Sequence, residues 1–385
     1  MEMLEFDKSQ KQIQKAVQAF AKGEFDKELI LELEKKSEFP GKIWEKAAEL
    51  GFIGIHFPED YSGASMGLFE NAIIAEELCR KDSSMGIALT LSGYASECIL
   101  RFGSEELKKK YLPKVAEGQM LSGGAFTEPD NGSDVSVIST TAVKDGDSYL
   151  INGKKTFVLN GGTAGFYVVL CLTDPESKSA TKGMSLILVE GNEEGIDAKS
   201  VGYKLGINML ATADLTFKDV RVPASNLIGK EGNGYSQLQE FFIESRILAA
   251  AQALGVAQGA YDRALVYVKG REQFSRPIAK FQITQHKMAD MATKIEIARL
   301  MTYEAAEKFD KGQKDAKFAS MAKLTATRMA MDVTNEALQL HGGYGYMTEY
   351  EVEHFYRDAK VLEIREGNRR VQKDIIAEAV IGKIK

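Results

Sequence analysis

Arg365-Glu366-Gly367-Asn368 is the stretch of this chain whose residue types most resemble an acid–base site. It closes a segment, His341 to Arg370, that gathers glycines, aromatics and an Arg357-Asp358 pair. Gly342, Gly343 and Gly345 allow positive φ and a close approach of backbone to a ligand. The glycine after Glu366 marks a loop that offers a carboxylate between helical segments. Such a carboxylate is a candidate base. Beside Arg365, Arg369 and Arg370 it is also, and more commonly, a solvated surface charge, and the residues alone leave both readings open.

Other residues narrow the chemistry. Thr127, Asn131, Gly132 and Ser133 put hydroxyls, an amide and open backbone in one loop, as a polar heteroaromatic ring requires, or as a capping turn does. Arg271 has the planar fork that suits phosphate oxygens, or serves a helix end. Cys79, Cys98 and Cys171 show no CxxC or Cys/His spacing, so neither disulfides nor a metal centre is expected, and the compartment reads as reducing. P-loop and Rossmann glycine signatures are absent. Forty-nine basic against 55 acidic residues leave a net charge of −6 with no basic face, which argues against nucleic acid. The N-terminus has no apolar signal core and no run approaches the roughly 20 apolar residues that span a bilayer, so a cytoplasmic protein without membrane insertion is expected.

Three segments must position these residues. At 385 residues the chain exceeds one ordinary core. Residues 1–121 show helical stripes (Ile13, Val17, Phe20; Trp44, Ala47, Leu50; Ala72, Ala75, Leu78), with Ser104 as an N-cap before two acids. Residues 122–228 hold short β-forming runs around Asp145-Gly146 and Asn152-Gly153, both turn signals, which predicts an antiparallel barrel or sandwich. Residues 229–385 return to helical spacing. Stripes over Ile247 to Val268, over Met288 to Ala298, over 315–340, and at Val371, Ile375 and Ala379 predict a four-helix bundle. The class is α+β multidomain, in the order α, β, α.

Four motifs on this layout resemble the flavin-dependent acyl-CoA dehydrogenase family, of the short- or medium-chain and butyryl-CoA type. They are Ala125 to Asp134; Asp219 to Pro223 with Asn226-Leu227; Arg271 to Phe274 with Phe281-Gln282; and Gln339 to Tyr346 leading to Arg357-Asp358 and Glu366-Gly367. The resemblance implies FAD. Its ring would lie on Gly124, Phe126, Thr127, Gly132 and Ser133, against a second wall of Phe157, Val158 and Leu159. Leu159 departs from the family's usual Thr or Ser, so that wall lacks a hydroxyl. Arg271, Gln273, Phe274, Gln282, Gln339, Leu340, Gly342 and Gly343 would bind the dinucleotide's phosphates and sugars across a subunit boundary, which implies an oligomer, a homotetramer in this family. Asn368 and Arg370 would complete the cofactor set.

For substrate, the resemblance implies Ser133, Ile243, Ser245, Arg246 and Gly367, with Arg246 turned toward CoA. Some relatives carry the catalytic acid just before that arginine. Here the place is Ser245, and Glu244 lies about 100° round the helix, so Glu366 becomes the base. The implied reaction is α,β-dehydrogenation of an acyl-CoA, as in β-oxidation, with electrons passed to an electron-transferring flavoprotein. Enoyl-CoA reduction, oxidase chemistry and a non-catalytic assembly role are the rival expectations. Arg365 and Asn368 replace the family's usual aromatic and Thr. Arg365 either pairs with an acid such as Glu353 or faces the acyl group. Leu89 to Ser96 and Phe241 to Leu254 would set chain length.

Overall fold

A computed structural model describes residues 5–382. Seven helices come first: α1 (Lys8–Glu24), α2 (Lys27–Lys36), α3 (Gly41–Glu49), α4 (Leu68–Lys81), α5 (Ser83–Thr90), α6 (Ser96–Phe102) and α7 (Glu105–Ala116). Asp7, Asp26, Asp82 and Ser104 cap α1, α2, α5 and α7, each side chain accepting a backbone N–H of the first turn.

Strands β1 (Ser122–Ala125), β2 (Thr141–Asp145), β3 (Ser148–Leu159), β4 (Phe166–Leu172), β5 (Met184–Glu190), β6 (Ile196–Ser200), β7 (Thr212–Pro223) and β8 (Leu227–Ile228) follow. Their order is β6-β7-β3-β2-β4-β5-β8, with β1 on β4. Most pairings are antiparallel, but β4 runs parallel to both β1 and β2. Gly146 turns the β2–β3 hairpin with positive φ. Asn152-Gly153 is not the expected second turn. It lies inside β3, where the register against β7 slips and Gly153 sits at φ +151° against Thr140, so the signal marks a bulge. Alternate residues of β4 face two cores: Val168 and Leu170 meet α6 and α7, while Tyr167, Val169 and Cys171 fill the sheet's interior.

The last segment holds α8 (Gly234–Gly270), α9 (Gln282–Asp310), α10 (Ala316–His341), α11 (Val352–Ile364) and α12 (Arg369–Ile381); a small hairpin, β9 (Glu272–Gln273) and β10 (Arg276–Pro277), joins α8 to α9. At about 1.5 Å per residue α8 runs for about 55 Å. It is apolar nearly all round because it is surrounded: Gly255 and Gly259 approach α4 so closely that a Cβ would strike the carbonyls of Glu76 and Arg80. The fourth bundle helix differs from expectation. Val352, Phe355, Ala359 and Leu362 of α11 are fully buried in the core with α4, α8, α9 and α10. Of α12, Gln372 is the buried residue, and Val380 and Ile381 are exposed. The α12 stripe is therefore apolar without being core. Among the described residues no helix is long and apolar enough to cross a membrane.

Candidate active site

Glu366 stands where α11 ends and α12 begins, and it is 6% exposed, not a solvated surface charge. Its φ is +59°, a left-handed conformation that costs a non-glycine residue about 1–2 kcal/mol. Such strain persists only where surroundings over-determine it. Arg246 of α8 donates Nε to the Glu366 carbonyl at 3.2 Å and Gln372 of α12 donates to the same oxygen at 2.8 Å. Lys323 of α10 donates to the Gly367 carbonyl at 2.8 Å. Burial pushes the Lys323 ammonium down to about 7, against the attraction of Glu366. Gly367 has φ +86°, and a Cβ there would meet Val371 and Gln372 within 3 Å, so the turn requires glycine.

The carboxylate is held at one oxygen. Tyr94, in the turn between α5 and α6, donates its hydroxyl to Oε1 at 3.0 Å, and Arg365 donates Nη1 to it at 3.2 Å. Oε2 is buried and has no partner. Arg365 does not pair with Glu353, which binds Arg357 instead; its other nitrogen donates to Gln252 of α8. Gln252 in turn donates to Thr90 at 2.6 Å. Asn368 caps α12 by accepting from the N–H groups of Arg370 and Val371, and donates Nδ2 to Ser133 at 3.0 Å, tying the base's loop to the β-domain loop.

Two surfaces test whether FAD fits. On the β domain, Phe157 sits at φ +52° with its ring 67% exposed, which no core packing explains. The Thr127 carbonyl accepts the Thr156 N–H at 2.9 Å, bringing the 127–133 loop alongside. An open aromatic face, exposed Gly132 and Ser133 and half-buried Thr127 suit the face and edge of a planar heteroaromatic ring. Phe126 and Val158 turn their side chains into the core, so these two do not line that surface. Gly124 is required by packing, since a Cβ would meet the Phe126 and Tyr94 rings. Leu159 packs on the helical core and offers no hydroxyl.

The second surface is a groove of about 450 Å³ lined by Arg271, Gln273, Gln339, Leu340, Gly342 and Gly343. The Arg271 fork, two side-chain amides and unshielded glycine backbone match the donors a diphosphate and its sugars need. Phe274, at the β9–β10 tip, is 89% exposed, and Gln282 opens α9 outside the groove. Arg370 is exposed in a shallow cleft with Asn368. Among the described residues no hydrogen bond joins Arg271, Gln273 or Gln339 to the 127–133 loop.

Of the substrate set, Ile243, Ser245 and Arg246 are all buried, and Ser245 lines a cavity beside Tyr94. Arg246 has its guanidinium over the Phe242 ring and its Nε on the Glu366 loop. Glu244, about 100° round the helix from Ser245, is buried, forked by Arg101 at 2.9 and 3.1 Å, and close to Glu97. Sequence reading took in Tyr94 and Gln252 only as members of the two stretches expected to set chain length, and missed Lys323 and Gln372. Gln252 interrupts the apolar run Ala249 to Ala257, and Lys323 stands on an alanine-rich face, both visible signals; Tyr94 and Gln372 carry none.

Comparisons with known proteins agree with the α, β, α layout. The families described as acyl-CoA dehydrogenase N-terminal, middle and C-terminal domain match residues 7–119, 123–220 and 232–381. The chain is 40% identical over 376 residues to the acryloyl-CoA reductase (NADH) of Anaerotignum propionicum, covering 97% of this chain and 95% of that protein. It is 38% identical over 379 residues to the caffeyl-CoA reductase-Etf complex subunit CarC of Acetobacterium woodii, covering 98% and 100%. Butyryl-CoA dehydrogenase from Megasphaera elsdenii superposes with a TM-score of 0.94 at 34% identity, over 99% of this chain and 100% of that one. The chain belongs to the acyl-CoA dehydrogenase family of FAD-dependent oxidoreductases.

Proposed function

We propose that the protein interconverts an acyl-CoA thioester and its trans-2-enoyl-CoA, with Glu366 moving the proton at the α-carbon. The observation that carries this reading is the Glu366 carboxylate, buried, anchored through Oε1 and free at Oε2. An anchored oxygen fixes the direction of the other, and a dry site lets a carboxylate act on a weakly acidic C–H. FAD, when bound, supplies the two-electron acceptor for the β-hydrogen as hydride. In oxidation the α C–H pair becomes the new double bond and its proton goes to Glu366; in reduction Glu366 returns it. Tyr94 and Arg365 orient the carboxylate, while Arg246, Gln372 and Lys323 hold its backbone.

Dehydrogenation with electron transfer to an electron-transferring flavoprotein is the first reading. Reduction of the enoyl-CoA is the second, favoured by the relatives named acryloyl-CoA reductase and caffeyl-CoA reductase. A ring surface on the β domain and a phosphate-type groove beside β9 support a dinucleotide shared by two copies, in keeping with the homotetramer that the resemblance implies. Three free, buried cysteines support a cytoplasmic setting.

Anaerobic assays of the FAD-loaded protein test the reading: butyryl-CoA with a dye or electron-transferring flavoprotein, crotonyl-CoA with either in reduced form, and oxygen as a separate acceptor. Turnover in one direction at least is expected. A flavoprotein that no acyl- or enoyl-CoA bleaches or reoxidises would be a non-catalytic relative, and the proposal would fail.

A further inference from the structure

Gln252 is a fully buried amide among the alanines of α8. A buried amide costs free energy unless it is hydrogen-bonded, so its partners say what it is for. Its Oε1 accepts from Arg365 Nη2, and its Nε2 donates to Thr90 Oγ1 at 2.6 Å. The Thr90 hydroxyl, its oxygen so engaged, donates its own proton to the Gly86 carbonyl at 2.7 Å within α5. The direction of this series is forced. Arginine has donors and no acceptor, so the carbonyl end of the amide must face Arg365 and the NH2 end must face Thr90. An inverted amide would set donor against donor.

Arg365 needs such a hold. Its side chain is 10% exposed, and its one ion pair among the described residues is a single contact, Nη1 to Glu366 Oε1 at 3.2 Å. A single contact leaves a guanidinium free to turn about it. The fork is planar and rigid, so an acceptor that fixes Nη2 fixes Nη1 as well. Through this acceptor α8 supports the base twice: Arg246 holds the Glu366 carbonyl, and Gln252 holds the arginine that rests on the carboxylate. A site propped from a buried helix is held more closely than one propped from a loop.

We propose that Gln252 is a positioning residue for the reaction, acting through Arg365 and itself set by Thr90, so that Glu366 Oε1 stays anchored and Oε2 is the oxygen presented to the α-carbon. Gln252 does not line the cavity beside Tyr94, so its effect falls on the chemical step and not on the hold of the thioester.

The inference rests on the acyl-CoA reading above, and the test separates the two. The FAD-loaded enzyme is assayed with butyryl-CoA or crotonyl-CoA, whichever the wild type turns over. Values of kcat and KM are measured in wild type, Gln252→Leu, Arg365→Leu and the double variant. Gln252→Leu is expected to lower kcat roughly tenfold, the worth of one hydrogen bond to a charged group, with KM unchanged. In the Arg365→Leu background the same change should cost nothing further, because residues that act in series do not add. Thr90→Val touches neither Arg365 nor Glu366 and serves if the glutamine variant does not fold. It should lower kcat by a smaller factor, and Thr90→Ser, which keeps the hydroxyl, should restore it. A wild-type kcat in Gln252→Leu, or in Thr90→Val where the former does not fold, overturns the inference and leaves the reading intact. So does a loss from Gln252→Leu that persists undiminished beside Arg365→Leu. A wild type that turns over neither thioester removes the reading, and the inference with it.

Discussion

Two buried glutamates, Glu128 in the β domain and Glu366 between α11 and α12, began as comparable motif residues and are used in opposite ways. Glu128 bonds at both oxygens. Oε1 takes the Lys155 ammonium at 2.9 Å and the Thr140 N–H at 2.9 Å; Oε2 takes the Ser139 N–H at 2.7 Å and its hydroxyl at 2.6 Å. Burial alone would push its carboxyl up, but Lys155 and these bonds outweigh it and hold it at about 2. Glu366 has its strained backbone bonded as tightly, yet one carboxylate oxygen stays unpartnered. The structural acid has every oxygen occupied. The proposed base keeps one free, and the neighbouring elements supply the rigidity that a second anchor would have given.

Substitutions can break this contrast. Glu366→Gln should lower turnover by roughly 10²–10⁴-fold, the range of general-base catalysis, while the melting midpoint hardly moves. Glu128→Ala should do the reverse. It strands the fully buried Lys155, and losing one partner of a buried pair costs about 3–5 kcal/mol, read in denaturant unfolding. Equal stability losses in both variants would erase the distinction.

A third buried carboxylate refines it. Asp82, capping α5, lies 2.9 Å from His354 of α11, and Asp358 of the same helix accepts from Ser83, Ser84 and the Ile207 N–H, joining all three segments. Burial disfavours the imidazolium, but Asp82 raises His354 from 6.5 to about 9. A raised folded value gives stability that is complete below about pH 6.5 and lost as pH climbs through about 9, on the order of 3 kcal/mol. Asp82, lowered by the same partner against its burial, adds the acid limb: its stabilisation holds above 3.8 and fades as pH falls below that. His56 bends the curve the same way at high pH, so the measurement is unfolding free energy against pH in wild type and His354→Gln; the variant should lose most of the slope between 6.5 and 9. An unchanged slope would clear the Asp82–His354 pair of that role. Smallest of all, Tyr94→Phe removes one hydrogen bond to Oε1 and should cost roughly tenfold in kcat, the low end of the about 1.5–3 kcal/mol that a bond to a charged group is worth.

The three-segment layout was legible because period two and period 3.6 alternate cleanly along the chain. Glu366 was legible through its glycine turn and the resemblance. The failures were local. Asn152-Gly153 has the composition of a turn, yet sits mid-strand, where the register against β7 shifts and any Cβ on Gly153 would strike Thr140. The α12 stripe looks like the α11 stripe in sequence, and only packing decides that Phe355 is core while Ile381 is exposed. Partners far along the chain left no trace either: Tyr94 lies 272 residues from the glutamate it binds, and Arg246 lies 120 residues from the carbonyl it holds.

The central claim is that Glu366 moves the α-proton, whichever way the reaction runs. It is tested most directly by exchange of solvent deuterium into the α-position of a thioester with no β-hydrogen, followed by NMR on the FAD-loaded wild type and Glu366→Gln. The account predicts exchange in the wild type and at least a hundredfold loss in the variant, the lower end of general-base catalysis. Comparable exchange in both proteins would contradict it.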